Sequence, residues 1–273
     1  MTYLPDGDYC VVPDLQAPYH DDRTVKAFTR FLWDRDFDGL ACVGDEVDSP
    51  EPSQWSKGRA EEFSGTLEHG LQVGYDILQG FAHALGVNKD GTHKPFILSR
   101  SNHGDRIQKY LSRYAPAMSR TSWNQYSAIM GYGQRPMLAG RDEPLPIQYH
   151  TQPVNFARGW VMLHGDESGS NQTAGGTAMG LAKKVGASVV CGHTHKAGLQ
   201  HHNLSHSGKL TQQLVGLEVG HMMDMGKAQY LGFGGANWQQ AFAILRIRKG
   251  RVFPELVLIN QRKFTVEGHT YEG

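Results

Sequence analysis

Cysteine is scarce: the 273-residue chain holds three, Cys10, Cys42 and Cys191. An odd number without paired spacing excludes a disulfide framework and points to a reducing compartment. Each lies inside an apolar run, where a thiol acts as a small buried residue. Neither sign of charge is in excess, since 27 Lys and Arg offset 27 Asp and Glu. That balance excludes a whole-molecule basic footprint for nucleic acid, while leaving a local patch open. Long apolar runs are missing too, for nothing approaches the ~18 residues of a membrane span. The opening MTYLPDGDY has neither the basic start nor the apolar stretch of a signal peptide. Internal repeats and low-complexity tracts are also absent. A cytoplasmic protein without membrane contact is expected.

Glycine is plentiful, at 33, which suits tight strand-to-loop connections. Hydrophobic residues make up 39%, enough to build one large α/β core or two small ones. No convincing domain boundary interrupts the chain, so residues 1–273 read as a single domain.

Five short apolar runs stand out: YCVVPD to Asp14, LACVGDEVD past Asp45, PFILSRSNH to His103, WVMLHGD past His164 and SVVCGHTH to His195. Each is too short for a buried helix and reads as a buried strand. Between them lie helical patterns. Val25, Phe28 and Leu32 recur at helical spacing after Asp21 or Asp22 as N-cap. A longer helix is expected over about 60–85, with Phe63, Leu67, Leu71, Ile77, Leu78 and Phe81 among its apolar positions. Ile107, Tyr110, Leu111 and Tyr114 mark another, and TAGGTAMGLAKKV a weaker one. Alternation of strand and helix predicts α/β architecture with parallel pairing.

In parallel sheets, ligand sites gather beyond the carboxyl ends of the strands. All five runs end in Asp, Asn or His, so these residues should face one crevice. Residues 116–150, rich in Pro and Gly, read as an irregular insertion, either a lid or a long connection. From 209 onward the pattern turns to strands. QAFAILRIRKGRVFPELVLI reads as a hairpin turning near Lys249-Gly250, and 209–264 are expected to supply a second sheet packed on the first.

In order, the strand-end pieces are D-x-Q at 14–16, GDxxD at 44–48, NH at 102–103, HGD at 164–166 and GHTH at 192–195. This set resembles the calcineurin-like metallophosphoesterase family, whose pattern is D-x-H, GD, GNH with an acid, H, and GHxH. The match covers about residues 9–195, and SNHGDRIQKYL and WQQAF are most similar to bacteriophage-encoded members. The resemblance implies a four-layer αββα sandwich with two mixed β-sheets and a binuclear metal centre. Asp45 would bridge two metals. Asp14, position 16 and His195 would complete the first site; Asn102, His164 and His193 the second. His103 would stay free of metal and face the phosphate.

The chemistry is consistent with that division. A metal-bound water reaches a pKa near ~7, so hydroxide is available at neutral pH. Two divalent cations outweigh Asp14, Asp45 and one hydroxide, and the residual positive charge favours a phosphate anion. Carboxylate, amide and imidazole donors without thiolate suit Mn, Fe, Ni or Zn, with Mn the first choice. Position 16 departs from the family, with Gln in place of His. Gln16 either binds a metal through its amide oxygen, which implies a looser first site, or makes only hydrogen bonds. Ser101 replaces the family's Gly, and Gly104 its acid. Asp105, one place later, either orients His103 or caps the following helix.

The function expected from this set is two-metal hydrolysis of phosphoesters, as a phosphodiesterase acting on nucleotides or single nucleic acid strands. His103, protonated, would give a proton to the leaving oxygen. Two alternatives are a phosphomonoesterase of small substrates and a non-catalytic phosphate-binding module that lost the first metal. Substrate contacts are expected from Asn102, Arg106 and His20. Arg106, Lys109, Arg113 and Arg120 either grip a phosphate backbone or form a solvated face. Trp123, Tyr126 and Trp238 are expected in the core, and His201, His202 and His206 in a polar loop. Asp48 and Asp166 are expected to orient imidazoles or hold loops.

Overall fold

A computed structural model describes residues 3–54, 56–58, 65–228 and 236–273. The first apolar run forms β1 (Gly7–Val12), which alternates between two apolar surroundings. Cys10 and Val12 point into one core, Tyr9 and Val11 into another. A strand buried on both faces has no polar side, hence the unbroken apolar runs.

The first sheet has six strands. β2 (Gly39–Cys42), β3 (Phe96–Ser99) and β4 (Gln148–His150) follow β1 in parallel. The second sheet holds β5 (Val154–Ala157), β6 (Trp160–Met162), β7 (Ser188–Cys191), β8 (Ala197–His206) and β9 (Lys209–Val219), in the order β5-β6-β7-β9-β8. Its central strands β6, β7 and β9 are parallel and its edge strands antiparallel.

Helices α1 (Asp22–Asp34) and α2 (Leu67–Leu85) cover the outer face of the first sheet, where Phe28, Phe31, Leu78 and Phe81 meet Leu40 and Leu98. Between the sheets, Tyr9, Val11 and Ile97 pack on Phe156, Met162, Val190 and Leu217. Beyond the second sheet, Ala178, Leu181 and Ala182 of α6 (Gly176–Val185) pack on Val189 and Cys191. Close approach of α6 requires Gly216, where an added Cβ would lie 2.4 Å from the Met179 backbone nitrogen. The layers run helix, sheet, sheet, helix. The protein is a four-layer αββα sandwich, as the resemblance implied.

Several sequence expectations need correction. The helix expected from about 60 starts at Leu67, where Thr66 accepts the His69 N–H at 3.1 Å as N-cap. Phe63 lies outside the described residues. Nor do all strands after 209 enter the second sheet. Only β9 does. β10 (Ala241–Arg248) and β11 (Arg251–Leu258) form the expected hairpin at Lys249-Gly250, but β10 pairs antiparallel with β1 in the first sheet. β12 (Lys263–Val266) and β13 (His269–Glu272) make a separate hairpin. Alternation reveals a strand and its faces but not which free edge it joins. β10 is apolar on both sides, with Phe242 toward the helices and Leu245 toward the second sheet, and so fits beside buried β1.

Residues 116–150 form α4 (Pro116–Ser119), a 3₁₀ turn at Ser122–Asn124 and α5 (Tyr126–Met130) before β4. Tyr126, Met130, Tyr132, Leu138, Leu145 and Ile147 are buried in the helix-side core, so much of the segment is packing material. Trp123, expected in the core, is instead exposed. His201, His202 and His206 lie on β8 rather than in a loop.

Asp21, not Asp22, caps α1: its Oδ1 accepts the N–H groups of Arg23 and Thr24, each at 3.1 Å. Its Oδ2 accepts from Arg262 at 2.8 Å. Burial pushes this carboxyl up, but Arg262 and the two N–H groups outweigh burial and hold it below its ordinary value. Such a depressed carboxyl contributes stability above the ordinary pKa of ~3.9, lost as pH falls through the folded value. Asp21→Ala is therefore expected to cost about 1–2 kcal/mol at neutral pH. The gap in Tm between wild type and variant should close on acidification below about pH 4. A gap independent of pH would mean that the ionised cap contributes nothing.

Candidate metal centre

The five strand ends converge. β1 delivers Asp14 and Gln16, β2 Asp45, β3 Asn102 and His103, β6 His164, and β7 His193 and His195. Gln16, Asp45, His193 and His195 all adopt positive φ, at 56°, 51°, 67° and 58°. L-residues enter this left-handed region at a cost, which the surrounding hydrogen bonds must offset. Leu15 and Gln16 donate their N–H groups to the Asp45 carbonyl at 3.1 and 2.9 Å, tying the first loop to the second. His193 N donates to Asp14 Oδ2 at 2.7 Å, tying the first to the last.

Two sets of ligand-type side chains result, Asp14, Asp45 and His195 in one and Asp45, His164 and His193 in the other. Within each set the donor atoms lie within 4.8 Å of one another, and Asp45 belongs to both. Asp45 Oδ2 is 3.2 Å from His164 Nε2, and Asp14 Oδ2 is 3.4 Å from His195 Nε2. Asn102 joins the second set, its Oδ1 lying 2.8 Å from His164 Nε2 and 3.0 Å from His193 Nδ1. His164 is oriented by its Nδ1, 3.0 Å from the Val43 carbonyl.

Gln16 joins the first set with its nitrogen forward. Nε2 donates to Asp45 Oδ2 at 3.1 Å and lies 3.1 Å from His195 Nε2. Its Oε1 is buried without a partner, as is Asp14 Oδ1. Buried acceptors without donors are costly, and a cation at this set would relieve that of Gln16 once its amide turned Oε1 inward. The donors are carboxylate, amide and imidazole, a set that fits divalent Mn, Fe, Ni or Zn.

Burial, with Asp45 nearby, pushes Asp14 well above the carboxylate range, despite the opposing field of His164. Burial acts on Asp45 as well, but the imidazoles of His103 and His164 outweigh it and hold this carboxyl well below its ordinary value. His164 is raised to about 10: burial opposes its charge, and Asp45 overcomes burial. Burial and the neighbouring His164 lower His193 to about 4.

His103 stands beside the two sets. Its Nδ1 lies 2.9 Å from Asp48 Oδ1 and 3.7 Å from Asp45 Oδ2, and its Nε2 lies 2.6 Å from Arg106 Nη2. A guanidinium has no acceptor, so Nε2 accepts from Arg106 in this arrangement. Arg106 also bonds the Asp48 carbonyl.

Asp105 neither orients His103 nor caps α3 (Asp105–Tyr114), whose N-cap Gly104 makes no side-chain bond. Its carboxylate takes Arg100 at 2.8 Å. Asp166 likewise holds no imidazole; Arg100 grips it at 2.9 Å through both terminal nitrogens. Arg100, not singled out in the sequence, thus links the β3 and β6 loops and takes both acids. His20 Nε2 lies 3.0 Å from Asp22 Oδ1.

His221 was missed. It is fully buried, accepts the Met223 N–H at Nδ1 and packs its ring 5.1 Å from that of His195. Trp238 stands edge-on to His195 at 4.2 Å. The signal was present: LEVGH is a further apolar run ending in Gly-His. Glu46 was missed too. Buried beside Asp45, it accepts the hydroxyls of Tyr126 at 2.8 Å and Tyr132 at 2.6 Å, and so anchors the 116–150 segment.

No family model matches the chain. Among solved structures, Vps29 of Cryptosporidium parvum aligns over 98% of this chain and all (100%) of its own, with TM-score 0.47 and 13% identity. The Gene 54 proteins of Mycobacterium phages D29 and L5 are 32% and 33% identical over 268 residues, 96% of this chain and 97% of each relative. On that identity and coverage, the chain belongs to the family of these mycobacteriophage Gene 54 proteins.

Proposed function

We propose that the protein is a metal-dependent phosphoesterase, a phosphodiesterase acting on nucleotides or nucleic acid strands in the host cytoplasm. The observation that carries this reading is the pair of ligand sets sharing Asp45 at the carboxyl ends of strands from both sheets. Asp14, Gln16, Asp45 and His195 would hold one cation; Asp45, Asn102, His164 and His193 the other, with Mn the first metal to test. Bound there, two divalent cations supply Lewis-acid charge for the phosphoryl oxygens and a nucleophile at neutral pH.

The chain's own residues do the rest. Arg106 presents a fixed positive charge at the rim, and His103 positions it by accepting at Nε2. As the phosphoryl oxygens gain charge, N–H donors already in place stabilise them without reorganisation. Proton donation by His103 to the leaving oxygen would require Arg106 to swing off Nε2 first. Asp48 keeps the ring in place through either stage. Asp105 has no part in this reading, and His20 none beyond its pairing with Asp22.

A second reading rests on Gln16, whose amide N–H already bonds Asp45 and approaches His195. In that form the first set needs no cation, and the protein binds phosphate with one metal and no turnover. One experiment separates the two. Protein reconstituted with Mn is assayed for bound metal and against monoesters, diesters, cyclic nucleotides and nucleic acid strands. Two ions per chain with diester hydrolysis is the expected outcome. One ion and no hydrolysis of any ester would establish the second reading instead.

A further inference from the structure

Beside the metal centre, α3 carries a stripe of which Arg106 alone enters the hydrolysis proposed above. Arg106, Lys109, Tyr110, Arg113 and Tyr114 recur at i, i+3, i+4, i+7 and i+8, so they share one helix face. A core helix would place apolar residues there, yet this stripe faces a cleft of about 220 Å³. The cleft begins at Asn102 and Arg106, which belong to the metal centre, and runs out past Lys57, Lys109, Tyr110 and Arg113. Among the described residues that line it, four are cations and none is a carboxylate, in a chain with no net charge. Among the described acids, Asp48 bonds Arg106 and Asp105 lies 3.5 Å from Lys109.

Two aromatic rings lie among these cations. Tyr110 and Tyr114 are 42% and 50% exposed, with ring centroids 4.8 Å apart. Lys57 Nζ donates to Tyr114 Oη at 2.7 Å, and the Arg113 guanidinium is 5.5 Å from the Tyr114 ring. The cleft is smaller than the ~300 Å³ of an ordinary small-molecule site, so it suits one part of a larger substrate. From Arg106 to Arg113 the helix rises about 10 Å, which leads away from the metal centre toward solvent.

Cations tracking a path, with ring faces between them, match the chemistry of a single nucleic acid strand. Phosphates take the charges and an unpaired base stacks on the ring. A duplex hides its base faces and would leave both tyrosines unused. We infer that this α3 cleft binds the nucleotides next to the scissile phosphate of a single-stranded nucleic acid. This rests on the phosphodiesterase reading for the identity of the scissile group, but the binding stands on its own.

The test is fluorescence anisotropy of the full-length protein with a labelled single-stranded oligonucleotide across a salt series. Tyr110→Ala with Tyr114→Ala should weaken binding about tenfold or more, while Tyr110→Phe with Tyr114→Phe restores it. Lys109→Ala with Arg113→Ala should weaken it and flatten the salt dependence by about 0.7 in log–log slope per cation removed. All four side chains are at least partly exposed, so Tm should hold. Unchanged affinity in both double variants, or duplex bound as tightly as single strand, would overturn the inference. Because the assay reads binding, it is decided even if no ester is turned over, and absent turnover would count against the catalytic reading alone.

Discussion

Asp45→Asn is expected to remove bound divalent cation and hydrolysis together, whereas His103→Ala keeps the metal and loses about 10²–10⁴-fold in turnover. The difference follows from position. Asp45 belongs to both ligand sets, and the amide that replaces it has no charge to hold two cations. His103 belongs to neither; its ring lies between Asp48 and Arg106. Removing that ring releases the Arg106 guanidinium from its acceptor. Elemental analysis of the purified variants, run beside a diester assay, provides the check. Full metal content in Asp45→Asn would remove the bridging role, and wild-type turnover in His103→Ala would remove His103 from the mechanism. Asn keeps the shape of Asp, so loss of metal in that variant reports on charge rather than on packing.

Gly192→Ala should be nearly as damaging, although a single methyl is all that changes. An added Cβ would lie 2.1 Å from Asp14 Oδ1 and 2.6 Å from Val43 Cγ2. Neither neighbour has room: Asp14 and Val43 are both fully buried. The expected response is displacement of the Asp14 carboxylate, with loss of the His193 N–H that it accepts. Overpacking of this kind costs about 1–3 kcal/mol, which leaves the fold standing. Metal affinity should fall far more, by about 100-fold, since one ligand and the loop carrying two others are disturbed at once. Calorimetric titration with Mn, read beside far-UV circular dichroism, separates these effects. Wild-type affinity in Gly192→Ala would mean that Asp14 is not a ligand.

The α3 stripe and the metal centre answer different questions about this protein. On the proposed reading, the centre would specify what bond is attacked, and the stripe which molecule carries it. Asn102 and Arg106 belong to both, so a strand lying in the cleft would place its next phosphate within reach of the ligand sets. The 116–150 segment contributes from beneath. Tyr126 and Tyr132 hold Glu46, the neighbour of Asp45, and thereby steady the loop that carries the shared ligand.

What the sequence determined by itself was the strand-end placement of the candidate ligands and much of the sheet architecture that brings them together. Strands buried on both faces have unbroken apolar runs, and polar residues can enter only where such a strand ends. Asp14, Asp45, Asn102, His164, His193 and His195 were therefore legible as strand ends before any contact was known. LEVGH, carrying His221, obeyed the same rule and was passed over only because no ligand role called for it. What tertiary structure alone decided were the partners of charged side chains and the choice of sheet. Asp105 turned to Arg100 rather than to an imidazole, and Asp166 held its loop through the same Arg100, because a guanidinium can satisfy two carboxylates brought together from separate loops. β10 went to the first sheet because β1 offered a free edge, and a strand's alternation carries no record of which edge it will meet. Periodicity is local and survives in the sequence, whereas pairing depends on distances between residues far apart along the chain, and those exist only once the chain has folded.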